Sequence, residues 1–149
     1  MKKTILLLAI FLCAFKSFSQ TIIGSYNFDT GLQSWIAGSD AGTNSSNTCG
    51  GSLGSVFVRD NTATSILTSP SLNLSSYKSV TFSFCFKSTG LSAGEGFNLQ
   101  YYNGTSWSTI KTYKLGTDFS SSNTAYNFSY SLKKCNTTFP SAANFRFIG

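Results

Sequence analysis

Apolar and polar residues alternate one by one through most of the chain, and beyond residue 19 no apolar stripe recurs at helical spacing. The clearest run is SVTFSFCFKS, residues 79–88. Side chains on a strand point alternately to its two sides. Val80, Phe82, Phe84 and Phe86 therefore share one face, and Thr81, Ser83, Cys85 and Lys87 share the other. TAYNFSYSL (124–132) repeats the pattern: Tyr126, Phe128, Tyr130 and Leu132 form an apolar face with phenol hydroxyls at its edge. Weaker alternation predicts strands in TIIGSYNF (21–28, with Gly24 allowing a bulge), QSWIAG (33–38), GSVFVRD (54–60), TSILTS (64–69) and ANFRFIG (143–149). Trp35, large and apolar, belongs in the core.

Turn chemistry separates these runs. Asn103-Gly104 lies between GFNLQYY and SWSTIKTY, and Asn-Gly is the strongest short hairpin signal because both residues tolerate positive φ. It predicts an antiparallel hairpin of 97–102 with 107–113. Tyr101 and Tyr102 are out of phase, so one faces the core and the other the exterior. Residues 38–52 and 88–96 are rich in Gly, Ser, Asn and Thr and read as loops. In SPSLNLSSY (69–77), Pro70 excludes a central strand, while Leu72 and Leu74 can tuck beneath. About eight short strands with no helix predict an all-β chain: a two-sheet antiparallel β-sandwich of jelly-roll type, favoured over a barrel by its long, unequal loops.

The first residues add a compartment. Lys2 and Lys3 precede an apolar run from Ile5 to Ala14 that is short for a membrane span, and Ser17 and Ser19 sit at the −3 and −1 positions of a cleavage site before Gln20. Residues 1–19 thus read as a secretory signal peptide and 20–149 as a single module, with no later apolar run long enough to span a bilayer. Lys2, Lys3 and Lys16 would leave with the signal, so 8 basic residues face 5 acidic ones, a net charge of +3. The remaining lysines are scattered, whereas a nucleic-acid partner calls for a basic stripe. Three cysteines stay in the module, Cys49, Cys85 and Cys135. Export permits a disulfide, and an odd count leaves one thiol over. The pairing is open, with Cys85 bridging to Cys49 or Cys135 or standing as the odd thiol.

Catalytic chemistry finds little purchase. The chain has no histidine, which removes the Ser-His-Asp and Cys-His arrangements and the usual nitrogen ligand of zinc. The mature acids are Asp29, Asp40, Asp60, Glu95 and Asp118, and no pair is spaced to suggest two carboxylates facing across a cleft. GLSAGEG (90–96) lacks the Lys-Ser/Thr of a phosphate loop. Asp40, Asn44 and Asn47 offer oxygens but do not follow the spacing of an EF-hand. Aromatic residues are the remaining candidates, because sugar C–H faces stack on exposed rings while amides and hydroxyls take the sugar hydroxyls. Tyr102 and Trp107 flank Asn103-Gly104, and these three side chains, Tyr102, Asn103 and Trp107, form the candidate binding set. The competing reading makes Trp107 a cross-strand or core anchor of the hairpin.

Three stretches taken in order resemble MAM-like and carbohydrate-binding-type (galactose-binding-like) jelly-roll modules of secreted bacterial proteins. YNFDTGLQSW (26–35) resembles their opening Phe-acidic pair, Gly and Trp; GSVFVRDNTATSILTSPSLNLSSYKSVTFSFCF resembles the portion that follows; and YYNGTSWSTI resembles their Asn/Asp-Gly hairpin. The likeness covers nearly all of 22–148. It implies a non-catalytic module that binds a glycan or cell-surface polymer, an accessory part of a larger secreted protein. A structural or adhesive domain that contacts other proteins is the alternative, and a fragment of a secreted hydrolase or protease comes third. It also implies a structural calcium at Asp29, for which the residues alone offer an ordinary turn former before Thr30-Gly31. In such modules a closing strand with acidic residues follows the stretch similar to FRF, so ending at Gly149 reads as truncation at the last strand.

Overall fold

A computed structural model of the chain describes residues 20–46, 49, 53–59 and 62–149. The signal-peptide reading of 1–19, Asn47 and Asp60 lie outside them. The strands are β1 (Ile36–Ala37), β2 (Ala41–Asn44), β3 (Ser55–Val58), β4 (Ile66–Thr68), β5 (Ser79–Lys87), β6 (Gly96–Tyr102), β7 (Trp107–Lys114), β8 (Ala125–Lys133) and β9 (Asn144–Ile148). The pairings between these strands are all antiparallel. One sheet has the order β1-β4-β9-β6-β7, and two ribbons, β2-β3 and β5-β8, form the other strands. Among the described residues the architecture is an all-β sandwich, with no closed barrel.

The alternation in 79–88 and 124–132 produces the packing directly. β5 and β8 pair in register from Ser79↔Lys133 to Lys87↔Ala125, which sets Phe82 opposite Tyr130 and Phe84 opposite Phe128. Their apolar face lies on the five-stranded sheet. Phe82 stacks on Phe145 at 4.6 Å, Phe84 meets Phe147 edge-on at 4.9 Å, and Phe86 meets Phe97 at 4.8 Å. Leu74, Leu99, Tyr101 and Phe145 are fully buried in this core. Rings at such separations add favourable edge and offset contacts to the area they remove from water. On the outer face of the ribbon the polar residues pair across the strands, Thr81 with Ser131 at 2.9 Å and Ser83 with Ser129 at 2.8 Å. Cys85 stands at the end of that row and is disulfide-bonded to Cys49, in the β2–β3 connection. Cys135 is an exposed free thiol.

Two expectations fail in instructive places. TIIGSYNF forms no strand; residues 20–35 run as an arm. Phe28, Gln33 and Ser34 have φ of 61°, 48° and 72°, left-handed conformations that interrupt an extended run. The Gln33 side chain fixes this bend, accepting from the Phe28 N–H at 3.0 Å and donating to Asn27 Oδ1 at 2.6 Å. The bend turns the Tyr26 and Phe28 rings onto buried Trp35, each at 5.7 Å. Residues 38–52, expected as loop, contain β2. AGTN carries no apolar signal, but Gly42 lies flat against Phe57, where a Cβ would come within 3.2 Å of the ring. Between the arm and β5 opens a cleft of about 1910 Å³, its floor formed by rings including Phe82, Phe84 and Phe147. β5 pairs with β8 on one side, and its other edge has no strand partner among the described residues.

Candidate binding face

The hairpin β6–β7 forms as its turn signal requires, with a different turn. Four residues, Asn103 to Ser106, connect the strands; Asn103 N–H donates to Ser106 O at 3.2 Å, and Gly104 takes the left-handed φ of 93° while Asn103 does not. The Asn103 side chain holds this loop. Its Oδ1 accepts from the Thr105 and Ser106 N–H groups at 3.0 and 2.9 Å. Asn103 is therefore a turn residue.

A bulge decides where the tryptophan points. The register shifts between Leu99 and Gln100, so that Leu99 pairs with Lys111 and Gln100 with Thr109, leaving Ile110 as the extra residue. Uninterrupted alternation would have placed Trp107 and Tyr113 on the same face. Instead Tyr113 is buried in the core, and Trp107 pairs with Tyr102 on the outer face of the five-stranded sheet. The two rings lie 5.3 Å apart at 42°. Tyr101 points the opposite way, fully buried, with its hydroxyl donating to Thr138 O at 2.8 Å. Burial pushes the Tyr101 and Tyr113 phenols up from their usual value.

Arg146 on β9 completes the face. In the ladder it lies opposite both Thr68 and Gln100. Its guanidinium sits over the Trp107 ring, 4.0 Å from the centroid, and its Nε donates to Gln100 Oε1 at 2.8 Å. Gln100 Nε2 donates in turn to Thr109 Oγ1 at 2.9 Å, and Thr112 Oγ1 donates to Asn98 Oδ1 at 2.7 Å. Partial burial lowers the Arg146 pKa. The result is an ordered row of planar groups, Tyr102, Trp107 and Arg146, bordered by amides and hydroxyls. Of the sequence candidates, Tyr102 and Trp107 come together on this face, with Asn103 in the adjoining loop. Arg146 and Gln100 escaped the sequence reading. The FRF alternation marks Arg146 as outward-facing, but nothing local says that β9 inserts beside β6.

The described carboxylates hold loops. Asp29 Oδ1 accepts from the Leu53 and Gly54 N–H groups at 2.7 and 3.0 Å, and its Oδ2 accepts from Asn27 Nδ2 at 2.7 Å. Asp40 accepts from Thr62 and Thr64, Glu95 from the Ser92 N–H, and Asp118 from Lys111 Nζ and the Lys114 N–H. The hydrogen bond from Lys111 holds the Asp118 carboxyl below the usual carboxylate range. Asp29 thus ties the arm to the chain at Leu53 and Gly54. Among the described residues no three His, Cys, Asp or Glu side chains cluster as metal ligands.

No helix among the described residues is long and apolar enough to cross a membrane. Comparison with family models, with curated proteins and with solved structures finds no match for this chain.

Proposed function

We propose that this chain is an exported, non-catalytic binding module that recognises a glycan on the outer face of its five-stranded sheet. The observation that carries the reading is the outward Tyr102–Trp107 pair, 5.3 Å between centroids, set beside the amides of Gln100 and Asn98. Sugars are bound by aromatic faces for their C–H surfaces and by fixed polar groups for their hydroxyls, and this face supplies both on rigid strands. Export is supported by the Cys49–Cys85 bridge, which persists in oxidising compartments, and by the basic and apolar start of the sequence. Attached to a larger secreted protein, such a module would hold its cargo at a polysaccharide. Calcium at Asp29 forms no part of the proposal. Affinity electrophoresis through gels containing polysaccharide tests it: retardation is expected on at least one polymer, and unretarded migration of folded protein on every polymer would overturn it.

A second reading, an adhesive domain that contacts other proteins, draws on two observations. The far edge of β5 has no strand partner among the described residues and could be extended by a foreign strand, and Cys135 is an exposed thiol. This reading predicts a dimer on non-reducing electrophoresis that vanishes in Cys135→Ser. A monomer under oxidising conditions counts against it.

A further inference from the structure

The hydrogen bonds on the binding face are unequally spent, and the imbalance selects a ligand. Its side-chain oxygens already accept from the protein: Gln100 Oε1 from Arg146, Asn98 Oδ1 from Thr112 and Thr109 Oγ1 from Gln100, each with one lone pair left, and Asn103 Oδ1 from two N–H groups of the turn. Its charged donor is less used. Arg146 uses Nε alone, so both terminal nitrogens of the guanidinium are without a protein partner among the described residues, as are the Trp107 indole N–H and the Tyr102 hydroxyl. A neutral sugar hydroxyl could bond to these groups but would leave the charge of the guanidinium unmatched. A carboxylate or sulfate only accepts, and a guanidinium fork binds such groups through two parallel N–H bonds.

Charge points the same way. Each described carboxylate is tied to its own loop: Asp29 to Leu53 and Gly54, Asp40 to Thr62 and Thr64, Glu95 to Ser92, and Asp118 to Lys111. None is the partner of Arg146, whose one hydrogen bond goes to a neutral amide. Stacking on Trp107 and the bond to Gln100 hold the guanidinium in place before any ligand arrives, which lowers the ordering cost of binding.

We infer that the Tyr102–Trp107–Arg146 face takes an acidic glycan, its carboxylate or sulfate on the Arg146 fork and its ring beside Trp107. The inference rests on the glycan reading above and narrows it. Gels loaded with polygalacturonate or alginate, against xylan or laminarin, separate the two. Stronger retardation by the acidic polymers is expected, weakened about tenfold or more in Arg146→Gln and only partly rescued by Arg146→Lys, since an ammonium keeps the charge but lacks the fork. Lys87→Gln, on the outer face of the β5–β8 ribbon, controls for general attraction between a basic protein and a polyanion, and should change retardation less than about twofold. Equal retardation by neutral and acidic polymers would overturn the inference while leaving the glycan reading intact. So would an equal loss in the Lys87 and Arg146 variants. Retardation by no polymer would overturn both. The comparison of polymers on the unmodified protein stands even if an Arg146 variant folds poorly.

Discussion

Tyr126 shows how a single side chain departs from its sequence reading. Its ring sits in the core row beside Phe128 and Phe86, as alternation predicts. Its hydroxyl, however, accepts from the Ser120 and Ser121 N–H groups at 3.2 and 3.0 Å, with both seryl oxygens in reach. The Ser120 and Ser121 hydroxyls first, and then their N–H groups, favour the phenolate and bring its pKa down to about 8. The unfolded chain keeps the ordinary tyrosine value near 10. Between those values the unfolded state holds a proton that the folded state has released, so this group adds stability as pH rises above about 8 and nothing below it. Ultraviolet difference titration should show one phenol ionising near pH 8, absent in Tyr126→Phe; an unchanged titration in that variant would contradict the assignment. The alternation around Tyr126 was legible. The two serines facing it were not, because they belong to a loop with no periodic signal.

Elements were legible where the pattern was strong and the partner near. The runs at 79–88 and 124–132 became β5 and β8, and 97–102 with 107–113 became the β6–β7 hairpin. What sequence could not supply was register and insertion order. The Ile110 bulge shifts Trp107 from the face of Tyr113 to the outside, and β9 enters between β4 and β6 to deliver Arg146 beside it. β2 was missed because AGTN carries no apolar alternation; its pairing with β3 rests on the backbone ladder, the fit of Gly42 on Phe57 and a bond from Ser55 Oγ to Asn44 O. The disulfide then ties two ribbons that share no ladder. Cys49 and Cys85 are 36 residues apart, and closing a loop of that size restricts the unfolded chain by about 3–4 kcal/mol. Cys49→Ser or Cys85→Ser should lower stability to urea by roughly that amount, with Cys135→Ser near neutral because that side chain is exposed. Equal losses in all three variants would contradict the pairing.

The whole molecule divides its labour between two sides of one sheet. The inner side buries Phe145, Tyr101 and Leu99 against the β5–β8 ribbon, and the outer side carries Tyr102, Trp107 and Arg146 in the same ladders. Removing an outward ring should therefore cost ligand affinity with little loss of fold, whereas the inward rings hold the two layers together. This separation makes the binding proposal directly testable. The decisive measurement is retardation of the unmodified protein and of Trp107→Ala on a panel of polysaccharides, with the unfolding midpoint of each recorded alongside. Retardation of the unmodified protein, reduced about tenfold or more in Trp107→Ala at a nearly unchanged midpoint, is the expected result. Retardation equal in both proteins, or absent from both while they remain folded, would contradict a glycan site on this face.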